Sequence, residues 1–301
     1  MKTKLLVAGV LALDNLKTPN RSEEKIVGGA GIYSSISSSL FTETALVAAI
    51  GNDFPKDVIE EIKKHGIDMQ SVSQLDYPTF HWSGEYKGDM SQAITHETDF
   101  VINEHYNWEI EKEHRNPSVL LLCNNDPNIQ LKVLEQVNSK IIAMDTMNLW
   151  IDIAKEKLNL VVSQVDILFI NDAEAQQYSG YQELDKAAEN LLEKGPRFII
   201  IKKGAGGASL YSKKLTKHLP AFKVNNFVDP TGAGDSFAGA AMGYLTNRNA
   251  INEENLVTAM NYGAAVASVT VEGFGTESIM NITKPEINAR FQELCGGPGR
   301  I

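Results

Sequence analysis

The chain has 301 residues, 43% of them hydrophobic and 22% charged, with a formal net charge of -10. That length holds one large domain with a smaller appendage, or two modest domains, and the negative charge argues against a sequence-independent nucleic-acid binder, whose affinity rests on clustered Lys and Arg. No apolar run approaches the roughly 20 residues that span a bilayer, and Cys123 and Cys295 are too few for a disulfide framework, so a cytoplasmic protein is expected.

The opening Met-Lys-Thr-Lys-Leu-Leu-Val-Ala-Gly has the basic flank of a secretory signal. Its apolar run is short and soon meets Asp14, so a first core strand is predicted instead. Continuous apolar runs follow at 45–50, 119–122, 141–144, 167–170 and 198–201, a pattern of strands buried on both faces. Helical patterns lie between many of them, as at 57–65, 129–137 and 184–193, so the order is largely strand, helix, strand. The prediction is an α/β protein with a doubly wound, mainly parallel sheet flanked by helices and a site at the carboxyl ends of its strands.

Residues 79–86 depart from this plan. Alternation puts Phe80, Trp82 and Tyr86 on one face and Thr79, His81, Ser83 and Glu85 on the other, which is a half-exposed strand. With 11–25 and 94–102 it predicts a small sheet projecting from the core; on these residues alone an edge hairpin or a dimer contact serves as well. The expected division is a core of 1–10, 28–76 and 104–301 and a small β unit of 11–27 and 77–103.

Several short blocks punctuate the strands. Asp14 is a carboxylate able to accept bonds from two neighbouring hydroxyls, or simply a turn residue before Asn15. The paired Gly28 and Gly29, ahead of Ala30-Gly31-Ile32-Tyr33-Ser34-Ser35, let backbone approach a ligand closely, or make a helix-entry turn. Asn171-Asp172-Ala173-Glu174 follows the strand at 167–170, where a doubly wound sheet builds sites, and it equally satisfies a helix N-cap with an acid in the first turn. Lys202-Lys203-Gly204-Ala205-Gly206-Gly207 is a glycine loop or a plain turn into a strand at 208–211.

The run Asp229-Pro-Thr-Gly-Ala-Gly-Asp-Ser-Phe-Ala-Gly239 is the most informative stretch. Pro230 and Gly232 to Gly234 break regular structure, while 237–245 is small and apolar enough to be a packed helix, so 232–235 fall at its first turn. The free amides and positive dipole end there suit a transferring phosphoryl group, and Asp235 is placed to take the proton of an attacking hydroxyl. The competing reading is an N-capped helix with Asp235 complementing the dipole.

This run resembles the C-terminal signature of the ribokinase-like, or PfkB, carbohydrate and nucleoside kinases. The likeness extends from about Leu5 to Gly275: Gly28 to Ser35 with Gly51-Asn52-Asp53-Phe54 is similar to the family's N-terminal signature, and Asn171 to Glu174 to its Asn-x-x-Glu motif. The resemblance implies a ribokinase-like fold with a lid over the acceptor. It makes Asp235 the catalytic base, with Gly232, Ala233 and Gly234 as the anion hole. It also implies acceptor contacts at Asp14, Gly28, Gly29 and Tyr33, and nucleotide contacts at Lys203, Gly204, Gly207 and, on the adenine side, Asn261. Asn171 and Glu174 would attend Mg²⁺, Glu174 chiefly through water because that ion keeps much of its hydration shell. ATP and Mg²⁺ are thus the implied cofactors, with a monovalent cation such as K⁺ a further candidate. Tyr33 stands where many members have Asn, which leaves the acceptor open between sugar and nucleoside. Tyr33, Phe80 and Trp82 are a candidate aromatic wall, or plain core. The lack of a Lys or Arg cluster beside these blocks favours a neutral acceptor.

Other classes fit worse. There is no Gly-x-x-x-x-Gly-Lys-Ser/Thr loop, and Gly29 to Ser34 only imitates a dinucleotide fingerprint. Neither the six histidines nor the two cysteines show zinc-ligand spacing. The expectation is an ATP-dependent kinase acting on an alcohol group of a small sugar, polyol or nucleoside. It would need neither nucleic acid nor membrane, and open lid edges offer a homodimer contact while a monomer fits as well. The alternative is a non-catalytic sugar- or nucleotide-binding sensor on the same fold.

Overall fold

Strand β1 (Leu5–Ala8) is apolar and buried at every position, the pattern of a strand covered by helices on both sides. The computed structural model describes residues 3–88, 90, 93–248 and 251–296; the parts of the expected core and lid at 1–2, 89, 91–92, 249–250 and 297–301 lie outside them. Among the described residues β1 pairs in parallel with β4 (Thr44–Gly51) on one side and β8 (Val119–Leu122) on the other. The chain then extends the sheet outward in both directions. Beyond β4 lies β5 (Asp68–Leu75); beyond β8 lie β9 (Ile141–Asp145), β10 (Ile167–Asn171) and β11 (Phe198–Lys202), all parallel. An antiparallel pair, β12 (Ala208–Tyr211) and β13 (Thr216–Leu219), closes that edge. The strand order reverses at β1, so a crevice opens at the carboxyl ends of β1 and β8, where open α/β sheets bind ligands.

Alternation along the strands builds two cores. Leu5 and Val7 face the helices Ala30–Ser39, Ala233–Leu245 and Glu253–Thr270, with Ile32, Phe237 and Val266 in the same cluster. Leu6 and Ala8 face the opposite layer, which includes Ile129, Leu158, Tyr178 and Leu191.

The helix Ala30–Ser39 is rich in serine yet buried almost throughout. The hydroxyls of Ser35, Ser37, Ser38 and Ser39 are satisfied within its own turns, for instance Ser37 Oγ donating to the Tyr33 carbonyl at 2.7 Å. Such small side chains permit close packing. A β-carbon on Gly243 would come within 2.8 Å of the Ser38 Cα, so glycine lets the helix Ala233–Leu245 lie directly on Ala30–Ser39. At the upper end of this contact Ser34 Oγ donates to the Asp235 carbonyl at 3.1 Å, which fixes the first turn over the crevice.

The second sheet has the order β3 (Ser22–Gly28), β2 (Ala12–Lys17), β6 (His81–Tyr86), β7 (Ala93–Asp99). The stretch 11–25, read from sequence as one unit, is two strands folded back through Thr18 and Arg21. The strand expected over 94–102 stops at Asp99, whose Oδ1 accepts the Val101 amide at 2.9 Å and starts the short helix Val101–His105. The sheet is tied to the main body at its far end. Arg21 makes a two-pronged pair with Glu277 (3.1 and 2.7 Å) and lies 4.4 Å over the Phe274 ring.

Candidate active site

The helix Ala233–Leu245 begins at Gly232, whose φ of 74° places it in the left-handed region, and no side chain caps the first turn. Asp229 organises the approach. It is fully buried; one carboxylate oxygen accepts from the Thr231 amide (2.9 Å) and hydroxyl (2.7 Å), and the other from the Gly275 amide (2.8 Å). With both oxygens used to hold two loops together, Asp229 is a bracket, a task the sequence reading left unassigned. Of the three expected anion-hole amides, Ala233 already donates to the Pro230 carbonyl at 3.2 Å.

The structure brings Asp14, Gly28, Tyr33 and Asp235 to one place. The Tyr33 ring lies against Gly232, and a β-carbon at 232 would collide with three of its atoms. Burial raises the Tyr33 hydroxyl well above its ordinary pKa, reinforced by the negative charges of Asp229, Asp14 and Asp235. Tyr33 is therefore neutral and part of the floor. Phe80 instead packs edge-on against Phe100, which meets Trp150, while Trp82 folds over Gly84 and donates to Thr95 Oγ1 at 3.1 Å. The three aromatics of the expected wall thus take three different tasks.

Asp14, on β2, is 5% exposed and accepts from the Trp82 amide at 3.2 Å. One bond does not offset its burial, and its pKa is pushed up to about 7. Its carboxylate occupies the space a side chain on Gly28 would need. Gly29, the N-cap of Ala30–Ser39 with φ 95°, is crowded by the Val10 carbonyl and the Ala12 amide, so its bareness serves a backbone crossing. From the second sheet Tyr86 reaches the same loop, its hydroxyl close to Thr231.

A group of charges lies at the carboxyl ends of the central strands. Asp235 is raised to about 7 by burial first, then by Asp145, with Lys202 opposing. Glu174 is raised to about 7 by burial, again opposed by Lys202. Lys202 itself ion-pairs with Asp145. Burial disfavours its ammonium, but Asp145, Glu174 and Asp235 together outweigh that and hold it protonated. Asn171 and Glu174 form a full capping box: Asn171 Oδ1 accepts the Glu174 amide (2.8 Å) and Glu174 Oε2 accepts the Asn171 amide (2.9 Å). The helix-cap reading is therefore correct, and it leaves Glu174 Oε1 and Asn171 Nδ2 outside the box. Asp145 escaped the sequence reading, and Lys202 entered it only as the start of the glycine loop. The rule that sites gather at strand ends would have found both, had it been applied to β9 and β11 as it was to β10.

The nucleotide-side residues are less gathered. The Lys203 backbone closes a turn with Gly207 (2.8 Å). Gly207 has no room for a side chain because the backbone of Leu219 to Ala221 fills it, whereas Gly204, φ 51°, faces open space. Asn261 directs its amide to Cys295 Sγ at 3.6 Å, in the segment after the helix Lys284–Leu294.

Among the described residues no three carboxylate, histidine or cysteine groups converge to hold a metal ion directly, and no helix is long and apolar enough to cross a membrane.

Comparison with known proteins gives a consistent result. The model of the pfkB family carbohydrate kinases matches residues 7–283. A cytidine kinase from Thermococcus kodakarensis is 29% identical over 251 residues, covering 81% of this chain and 89% of its own. The solved nucleoside kinase of Methanocaldococcus jannaschii superposes with a TM-score of 0.76 at 22% identity, covering 97% and 99% of the two chains. A ribokinase II candidate from E. coli, solved with ATP and Mg²⁺, superposes with a TM-score of 0.74 at 21% identity over 96% and 99%.

Proposed function

The chain belongs to the pfkB family of carbohydrate kinases, and from that footing we propose that it moves the γ-phosphoryl group of ATP to a hydroxyl of a small sugar, polyol or nucleoside, with Asp235 as base. The observation that carries this reading is Asp235 itself. It sits in the uncapped first turn of a buried helix, with its pKa raised to about 7 beside Gly232 to Gly234. A base is most useful when its pKa lies near the working pH, because it is then both deprotonated and basic enough to accept the proton.

Asp14 would receive a second hydroxyl of the acceptor, since among the described residues only one hydrogen bond, from the Trp82 amide, engages it. Gly28 leaves the room that carboxylate occupies. The dipole end at Gly232 to Gly234 would meet the phosphoryl oxygens as charge builds on them. Glu174 and Asn171 fit a hydrated Mg²⁺ better than a bare one, because Glu174 has one oxygen outside its capping box and no cluster of three carboxylate, histidine or cysteine ligands exists among the described residues. The ion, bound with the nucleotide, would neutralise phosphate charge. The small sheet would act as the lid, with Tyr86 on Thr231 closing it over the acceptor and keeping water out.

The test is ADP release from Mg-ATP across cytidine, other nucleosides, ribose, fructose and polyols, with and without K⁺, and with Asp235→Asn as control. Release stimulated by one acceptor and lost by about 10² to 10⁴ in the variant is the expected outcome. Nearly normal turnover by Asp235→Asn would remove Asp235 from the role of base.

A further inference from the structure

Strand β11 ends in a cation to which the mechanism above gives no task. We infer that Lys202 is a catalytic residue of the phosphoryl transfer, its ammonium meeting the oxygens of the transferring group, and that Asp145 is the positioning residue that holds it there. This rests on the kinase reading of the same site.

Lys202 and Asp145 end β11 and β9, the strands on either side of β10, so their ion pair spans the carboxyl end of β10. Their side chains are 17% and 4% exposed. A pair serving only to join strands gains little by such a place, since burying two charges costs about as much as their attraction returns. The placement instead brings an ammonium to the crevice. A β-carbon on Gly234 would lie 2.9 Å from Lys202 Nζ, so the bare backbone of the proposed anion hole is what lets the cation approach it.

The charge balance points the same way. Asp145, Glu174 and Asp235 all act on Lys202, and among the described residues neither Glu174 nor Asp235 has an ion-pair partner of its own. A phosphoryl group entering this region adds more negative charge, and an ammonium with three donors can keep Asp145 while turning another proton to the phosphoryl oxygen. Alternation along the strand carries Lys203 elsewhere, and its backbone is committed to the Gly207 turn.

In the step itself the acceptor oxygen forms a bond to the γ-phosphorus while the bond from that phosphorus to the β,γ-bridging oxygen breaks. The hydroxyl proton passes to Asp235 and ADP leaves. Lys202 keeps its protons throughout and contributes charge alone.

The experiment compares Lys202→Met, Lys202→Arg, Asp145→Asn and the double variant Lys202→Met/Asp145→Asn, which removes both members of the ion pair so that Asp145 is not left as a carboxylate without its cation. Two quantities are measured: acceptor-dependent ADP release at saturating Mg-ATP, and calorimetric affinity for a non-hydrolysable Mg-ATP analogue against Mg-ADP. Lys202→Met and the double variant should lose kcat by about 10² to 10³, with the acceptor KM within about threefold of wild type. Their preference for the analogue over ADP should fall about tenfold or more. Lys202→Arg should keep part of both, and Asp145→Asn should be intermediate. A well-folded Lys202→Met or double variant with kcat within about threefold of wild type overturns the assignment and leaves the kinase standing. A wild-type protein that turns over no acceptor overturns the kinase reading, and the role of Lys202 with it.

Discussion

Tyr33 lies flat against Gly232, two residues some 200 positions apart that meet where the signature loop enters its helix. The ring occupies the volume a β-carbon would need, and the glycine is also left-handed at φ 74°. Gly232 therefore answers two demands at once, close approach and backbone conformation.

Gly232→Ala should accordingly destabilise the fold by about 1–3 kcal/mol, since strain and a clash coincide. It should also lower kcat by shifting the Asp235 turn. Tyr33→Ala removes the clash but leaves a cavity where a buried ring stood, so the double variant should be more stable than the sum of the two single losses predicts, read by thermal melting. Strict additivity would show that the ring and the added methyl do not collide.

The pH dependence follows from two buried carboxyls. Burial pushes Asp235 and Asp14 both up to about 7, and the proposed mechanism requires both to be ionised, one to take a proton and the other to hold the acceptor. For the free protein kcat/KM should rise with pH below about 7, with a slope between one and two on logarithmic axes, and level off above. A profile flat from pH 5 to 8 would show that neither group titrates there during turnover.

The same burial carries a stability cost with a definite sign. An aspartate has a pKa of about 3.9 when unfolded, and Asp14 folds to about 7. Between those values the folded state binds the proton more tightly, so this group's contribution declines as pH rises from about 4 to about 7. Asp14→Asn should leave stability near wild type at pH 4 and raise it by on the order of 2 kcal/mol at pH 8, while weakening acceptor binding. Denaturant melts at the two pH values measure the difference.

The second sheet offers a test of closure. Tyr86 meets Thr231 through its hydroxyl, so Tyr86→Phe keeps the ring and removes the latch. ADP release without acceptor should rise in this variant, because water gains entry. Arg21→Ala, which removes the pair with Glu277, should change stability by no more than about 1 kcal/mol, since that pair is exposed. It should still increase the same leak if the sheet is a moving lid.

Much of the architecture was legible because strands and helices write their burial locally. The all-apolar runs at 5–8, 119–122 and 167–170 marked central strands without any knowledge of their partners, and β5, whose burial is patchy, escaped for the same reason. The first turn of the helix Ala233–Leu245 was legible from its glycines, and the capping box from the spacing of Asn171 and Glu174.

What the amino-acid sequence determined by itself was the order of elements, the class of sheet and a signature whose glycines and carboxylate belong to one local turn. Only the tertiary structure decided which distant side chains complete that turn. The pairing of Lys202 with Asp145, 57 positions apart, and the task of Asp229 as a bracket to Gly275 depend on which strands lie side by side and on which face each residue presents. Those choices are made by packing across the whole sheet, where burying one face excludes every alternative register. No local pattern of residues records them.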